Sequence, residues 1–386
     1  FCLNQPMNGN AYYVTSSNGS GQLRSERHYA ATESGNIRRR YVVDAQLPPN
    51  IPQPRKSFVD GDDEIRHRAQ LWAIQKRFTA PLIEEFNHLM DLALKYPISR
   101  QKLDTPVEID RGSFGKIFRS YYDGSPVAIK EMTKEGTSAL SSNMREILLE
   151  LRNLVQIRHP FIVTYWGVAL EFPDTAEGEP YLGIVFELCE YGSVHSIIFN
   201  RDRSRVKSFG VERKVRVAFQ VATGLAYLHS RRIIHRDINS KNILISSDMT
   251  AKIADFGAAR VLPPNSDVLT TTTILGSPAY MAPEQMRGLP LTTRTDAWAF
   301  ALLLWEMVTE QKPWEGVHDD YEQLRAATLR GERVPFPVGV EGWPAAYLNA
   351  MVEGMAMLPE DRPPMDAVER KLRAAVGFFA ATPAPA

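Results

Sequence analysis

Cysteine is almost absent: two residues in 386, Cys2 and Cys189, far apart in the chain. Neither a disulfide framework nor a thiolate metal cluster can be built from them, which excludes the small stapled secreted folds and fits a reducing compartment. Net charge is lacking too. Forty-five basic residues meet 45 acidic ones, for a formal charge of zero. No overall field therefore recommends nucleic acid or an anionic membrane as partner, and charge-driven binding has to be local. Long hydrophobic runs are also missing. The most apolar stretch, WAFALLLWEMV at 298–308, falls short of the roughly 20 residues that span a bilayer and contains Glu306. It reads as a buried helix, and no membrane span is expected in this chain. No internal repeat is present. What the chain does have is apolar material for a large core, 44% of its residues with 10% aromatic.

Residues 1–62 contain NGNAYYVTSSNGSGQLRSER and LPPNIPQPRKS and show no sustained apolar period, which predicts a disordered tail. From Asp63 the pattern changes. Ile65, Ala69 and Trp72, then Leu82, Phe86, Leu89 and Ala93, recur at helical spacing. They predict a helical lead-in over 63–97, with Pro81 tolerated near the start of the second of two helices. This pair is read as a docking element, for the following domain or for a regulatory partner. From about Leu103 the short β-like runs TPVEID, KIFRSYY, PVAIKEM, IVTYWGVAL and YLGIVFELC surround one helical stretch near 141–157. After Ser193 the pattern is mainly helical, broken by the hairpin-like RDINSKNILISSDMTAKIADFG. The fold class is α+β in two unequal lobes: a small β-rich lobe with one helix over 104–188, and a larger helical lobe over 190–376. A short C-terminal tail is expected at 377–386.

IIHRDINSKNILI at 233–245 sets His235, Arg236, Asp237, Asn239, Lys241 and Asn242 on a loop between two apolar runs. Phosphoryl transfer needs such groups: a backbone cover over phosphates, a cation on them, metal ligands, and a carboxylate that orients the attacking hydroxyl. IDRGSFGKIF places Gly112 and Gly115 between two strands, where bare backbone N–H groups can approach phosphate oxygens. VAIK puts Lys130 one strand further on. Taken singly these two are ambiguous, since a glycine hairpin is often only a turn. In order, however, the glycine hairpin, VAIK, HRDINSKN, DFG at 255–257 and APE at 282–284 match the protein-kinase signature set. The chain resembles the eukaryotic protein kinases over about residues 104–376, and so implies the two-lobed kinase fold.

The resemblance implies ATP and Mg2+ as cofactors and a protein as substrate. Carried over by position, Asp237 is the carboxylate that accepts the hydroxyl proton, Asn242 and Asp255 are magnesium ligands, and Lys130 is the cation on the α- and β-phosphates. Arg236 and Lys241 complete the catalytic loop. A small-lobe glutamate should hold Lys130. Glu146 and Glu150 both qualify; in ELRNLVQIRHPFIV the distance from Glu150 to the HP turn matches that of the family, and Leu154 lies one turn further along to pack inward, so the resemblance implies Glu150. Around the nucleotide the resemblance places Ile109, Gly112, Ser113, Phe114, Gly115, Ile117, Ala128 and Leu244, with Phe186 at the bulky position behind it. The Glu187 carbonyl and the Cys189 backbone would bind the adenine edge. Glu284 should pair with Arg362, and Asp296 should brace the catalytic loop. In ARVLPPNSDVLTTTTILGSPAY, a phosphate on Thr273, or on Thr272 beside it, is expected to gain Arg236 as partner.

Three positions depart from the family pattern. Asp110 stands where the loop has its first glycine. Asn239 stands two residues beyond Asp237, where serine/threonine kinases usually carry lysine, and Lys241 is displaced by two. GSPAYMAPE resembles the serine/threonine form of the substrate-facing loop. The balance resembles the tyrosine-kinase-like group, whose members mostly phosphorylate serine or threonine, and implies a cytoplasmic signalling enzyme. Two other readings stay open. A pseudokinase scaffold would draw on Asp110 and Asn239. An intracellular part of a receptor, with dual or tyrosine specificity, would draw on the start at Phe1 rather than Met and on the juxtamembrane-like YPISRQKL.

Overall fold

The structure is a computed structural model that describes residues 11–12, 29–30, 60–76, 78–112, 115–132, 139–173, 180–199, 209–271, 274–316 and 320–381. The chain divides into two units, Phe1–Pro49 and Asn50–Ala386. In the first, β1 (Ala11–Tyr12) pairs antiparallel with β2 (Tyr29–Ala30). The rest of the tail expected at 1–62 lies outside the described residues, except that the first helix of the second unit begins at Asp60.

That helix, α1 (Asp60–Gln75), starts earlier than Asp63. It is followed by α2 (Ala80–Ala93), with Pro81 in the first turn, where a missing N–H breaks no helical bond. Trp72 of α1 sits 5.5 Å from the Phe78 ring and 6.2 Å from the Phe86 ring, centroid to centroid.

The small lobe is a six-stranded sheet of order β3-β7-β8-β6-β5-β4. Its strands are β3 (Pro97–Ile98), β4 (Val107–Gly112), β5 (Gly115–Tyr122), β6 (Ser125–Glu131), β7 (Tyr165–Glu171) and β8 (Tyr181–Glu187). All neighbours are antiparallel except β3, which runs parallel to β7. Strand alternation sends Val127, Ile129 and Val185 into one cluster with Trp166 and Ile98, and leaves Lys130 for the other face. Between β6 and β7 in the chain lies α3 (Ala139–Leu154). Its Met144, Ile147, Leu148, Leu151 and Leu154 recur at three and four residues and are all buried.

The boundary expected at residue 104 cuts through this lobe. Strand β3 precedes it, and Phe86, Leu89, Met90 and Leu94 share one core cluster with Ile147 and Leu151. Periodicity tells which residues seek burial but not against what they are buried, so the sequence left both the following domain and a partner open for the lead-in.

The larger lobe is built from α4 (Val194–Phe199), α5 (Val211–Ser230), α6 (Pro283–Met286), α7 (Arg294–Thr309), α8 (Tyr321–Arg330), α9 (Ala345–Gly354) and α10 (Met365–Ala381). Helix α7 is buried on every side from Thr295 to Met307, which explains the apolar run. Among the described residues no helix is long and apolar enough to cross a membrane. Helix α10 continues past the expected end at 376, because Val376 and Phe379 still pack on the core that holds Val368, Leu372 and Ala375. Short strands complete the lobe. β11 (Ile243–Ile245) lies between β12 (Ala251–Ile253) and β9 (Gly192–Ser193), and β10 (Ile233–Ile234) pairs with β13 (Arg260–Val261).

Candidate active site

The HRDINSKN loop hangs between β10 and β11, whose isoleucines are buried at both ends. Its backbone is fixed from beneath by Asp296 of α7, which is wholly buried. Asp296 Oδ2 accepts the His235 N–H at 2.9 Å, and Oδ1 accepts the Arg236 N–H at 2.8 Å. His229 Nε2 lies 2.8 Å from Oδ2. Burial alone would raise the Asp296 carboxyl, but His229, with the charge and N–H of His235, outweighs it and holds the group below the usual carboxylate range. These bonds also hold Arg236 at φ +71°, a left-handed conformation that costs a non-glycine residue about 1–2 kcal/mol.

Asp237 is oriented from three sides. Its Oδ1 accepts the Ser277 N–H at 2.8 Å and Asn239 Nδ2 at 3.0 Å, while Oδ2 accepts Asn242 Nδ2 at 2.9 Å. Asn239 also donates to Ser277 Oγ at 3.1 Å, and its own Oδ1 accepts the N–H groups of Lys241 and Asn242. The amide at the departing position is thus built into the loop. Lys241 is exposed and joins the cluster through its backbone N–H.

Lys130 comes to the same place from β6. Its Nζ lies 2.8 Å and 3.1 Å from the two carboxylate oxygens of Glu150 on α3, and 3.1 Å from Asp255 Oδ1. Glu146, one turn earlier on α3, is exposed. Burial of Lys130 works against its charge, but the two carboxylates outweigh that cost, so the amine is held protonated. Lys130 in turn overcomes the burial of Asp255 and keeps that carboxyl low. Asp255 takes φ +62°. The following Phe256 is fully buried and meets the His235 ring edge-on at 5.1 Å.

Asn242 and Asp255 fit a hard cation. Asn242 uses its Nδ2 on Asp237, which leaves the amide oxygen as its donor to a metal, and the Ala254 N–H bonds the Asn242 carbonyl at 2.9 Å. An amide oxygen and a carboxylate at the ends of the paired strands β11 and β12 suit Mg2+, which keeps waters and substrate phosphates as its other ligands.

On the nucleotide side, Gly112 pairs with Gly115 across the end of the hairpin. Ser113 and Phe114 lie outside the described residues. Gly115 has φ +144°, and a Cβ there would sit 2.0 Å from the Glu131 carbonyl oxygen, so the backbone at this point must be bare. Asp110 lies in β4 at a register shift, its Oδ1 accepting the Arg111 N–H at 2.8 Å. Ile117, Ala128, Phe186 and Leu244 are half-buried, whereas Ile109 is 50% exposed. The Glu187 carboxylate binds Thr164 through its N–H and Oγ1, both at 2.7 Å, and Lys252 Nζ at 2.9 Å, tying the connection between the lobes to both. The Cys189 carbonyl accepts the Gly192 N–H at 3.0 Å. Burial, helped by Glu187, pushes the Cys189 thiol up and keeps it unreactive.

The Glu284 carboxylate receives both terminal nitrogens of the buried Arg362 at 2.7 and 2.8 Å. Sequence reasoning missed the part played by Glu306. It is fully buried on α7, where Oε1 accepts Ser240 Oγ at 2.7 Å and Oε2 accepts the Tyr280 hydroxyl. A carboxylate inside an apolar helix was itself the available signal, since such a group cannot be buried without partners. Thr272 and Thr273 lie outside the described residues. Their expected partner Arg236 is buried, donates from Nη1 to the Ala258 carbonyl at 3.4 Å, and is pushed down to about 10 by burial and by the neighbouring Arg260.

Residues 103–372 match the family of protein tyrosine and serine/threonine kinases. The chain belongs to that family. The serine/threonine-protein kinase CTR1 of Arabidopsis thaliana is 31% identical over 249 residues, 64% of this chain and 29% of that protein. The dual specificity protein kinase shkB of Dictyostelium discoideum is 31% identical over 246 residues, 63% of this chain and 36% of that protein. The tyrosine-protein kinase FRK of Homo sapiens is 29% identical over 282 residues, 72% of this chain and 52% of that protein. The chain spans about a third of the length of the first two relatives. The three names cover all three acceptor classes, so likeness alone leaves the acceptor open.

Proposed function

We propose that this protein is an active, ATP- and Mg2+-dependent kinase that phosphorylates serine or threonine hydroxyls of protein substrates in signalling. The observation that carries this reading is the double contact of Lys130 with Glu150 and Asp255, made while Asp237 is held by Asn239, Asn242 and Ser277. Magnesium ATP, when bound, supplies the transferable phosphoryl group and its charge compensation. Lys130 then binds the α- and β-phosphates, with Glu150 fixing its direction. Asn242 and Asp255 hold the metal. Asp237 aligns the acceptor hydroxyl and takes its proton, and the bonds from both loops set the direction of its carboxylate in advance.

The serine/threonine preference is supported by Ser277, whose N–H and Oγ join the GSPAY segment to Asp237 and Asn239. Control by phosphate on Thr273 or Thr272 is supported by the two mutually repelling cations Arg236 and Arg260, which a phosphate would relieve. A cytoplasmic setting, including the cytoplasmic part of a receptor, is compatible with the described helices. A regulatory partner of the lead-in would meet the exposed Leu71 and Ile74 of α1.

The test offers the full chain magnesium ATP with matched peptides carrying serine, threonine or tyrosine. Label on serine and threonine is expected. Label on tyrosine alone would overturn the specificity, and nucleotide binding without transfer would favour the scaffold reading.

A further inference from the structure

The kinase match begins at residue 103, yet the segment before it is built into the small lobe by three sets of contacts. The first is backbone. Strand β3 extends the sheet beside β7, and the Val168 N–H donates to the Tyr96 carbonyl at 3.0 Å. A Cβ on Gly167 would lie 2.1 Å from that same oxygen, so the lead-in approaches this strand only because residue 167 has no side chain.

The second set joins α2 to α3. Arg145 of α3 donates to Glu85 at 2.8 Å, and Arg152 lies 3.1 Å from His88 Nδ1. Phe86, Leu89, Met90 and Ala93 are buried in one cluster with Met144, Ile147, Leu148 and Leu151. Exposed polar contacts of this kind contribute little, so the apolar contact dominates. The third set backs α2 with α1. Trp72 lies 6.0 Å from Phe172, just beyond β7, and Arg66 pairs with Asp91 at 2.9 Å.

Helix α3 carries Glu150, and a helix moves as a body. Its placement against β6 decides whether Glu150 meets Lys130. We propose that residues 60–98 are an intramolecular brace that fixes α3 in the position where Glu150 meets Lys130, which makes the buried face of α2 a set of positioning residues for transfer. The segment thereby does within the chain what a separate activating partner could do by docking on the same helix. This rests on the reading of Lys130 and Glu150 as the phosphate-holding pair.

The test uses the full chain and two variants outside the catalytic machinery, Gly167→Ala and Ala93→Glu. The first drives a methyl group into the Tyr96 carbonyl, and the second buries a carboxylate between α2 and its core. Backbone hydrogen exchange is followed in 60–98, in α3 and, as a control for folding, in α5 and α7, beside kcat and the ATP KM. The brace predicts exchange at least about 10-fold faster in 60–98 and in α3, unchanged protection in α5 and α7, and kcat lowered about 10-fold. Loosening of 60–98 alone, with α3 protection and kcat both unchanged, overturns the brace and leaves an added layer of packing. Loss of protection in α5 and α7 in both variants also overturns it, since the segment then serves general stability. Loosening of α3 at full kcat overturns the claim that the segment positions residues for transfer, and at the same time contradicts the role given to the Lys130–Glu150 pair.

Discussion

Asn239 Nδ2 lies 3.0 Å from Asp237 Oδ1 and 3.1 Å from Ser277 Oγ, so one neutral amide ties the central carboxylate to the loop that faces the substrate. Hydrogen bonds to a charged group contribute about 1.5–3 kcal/mol. Replacing Asn239 by Ala should therefore lower kcat by about 10- to 100-fold and leave the ATP KM nearly unchanged, because the lost bonds align the acceptor side. Asn239→Lys keeps a donor at the same place and should retain far more activity. Steady-state kinetics of both variants check this, and equal losses would show that the bonds are incidental.

Lys130→Met should abolish transfer, and it should also weaken the fold. The lysine is buried against Glu150, whose side chain is only 3% exposed, and removing one member of a buried pair costs about 3–5 kcal/mol. Lys130→Met with Glu150→Gln should recover part of that stability without recovering transfer. Denaturant midpoints with an activity assay separate the two effects.

Arg362 has a wholly buried side chain. Its two terminal nitrogens donate to Glu284 and also to the carbonyls of Arg294 and Met357, and its Nε donates to the carbonyl of Ala356. Arg362→Lys should be nearly as damaging as Arg362→Ala, at about 3 kcal/mol or more, since a single ammonium cannot reproduce the fork. Thermal melting of the two variants is the check, and full rescue by lysine would contradict it.

Acid should weaken the small-lobe contact at His159. Its ring stacks on Tyr227 at 4.7 Å, its Nδ1 accepts the Phe161 N–H at 3.2 Å, and burial together with Lys252 pushes its pKa down to about 4. Between pH 4 and the unfolded value near 6.5 the unfolded chain binds the extra proton. This contribution is therefore complete above about pH 6.5 and is lost as the pH falls toward 4. It amounts to roughly 1–2 kcal/mol after allowance for the solvent that reaches the ring. His159→Phe should flatten the stability difference between pH 7 and pH 5, which denaturant titration at the two values measures.

The parts legible in the sequence were those with a fixed spacing. Asp237, Asn242, Asp255 and Lys130 stand in an ordered signature, and Glu150 could be chosen over Glu146 because its distance to the HP turn matches that of the family. Relations between distant elements were not legible. The approach of the lead-in to β7 needs Gly167 to admit the Tyr96 carbonyl, and nothing local to either residue announces the other. The role of Asn239 was hidden for the same reason: a departure from the family pattern in the loop reads as a loss until Ser277, far along the chain, is seen beside it. Glu306 was visible as an interruption of an apolar run, but its partners Ser240 and Tyr280 come from two other loops.

The most direct measurement compares the full chain with its Asp237→Asn form for transfer of labelled γ-phosphate from magnesium ATP to a serine-containing protein substrate, with ATP binding measured on both. The substitution keeps the size and polarity of the side chain but removes the proton acceptor between Asn239, Asn242 and Ser277. The account predicts unchanged ATP binding and at least a roughly 1000-fold loss of transfer, about 4 kcal/mol in the barrier. Transfer by the Asp237→Asn form at a rate near that of the wild type, or no transfer by the wild type itself, would contradict it.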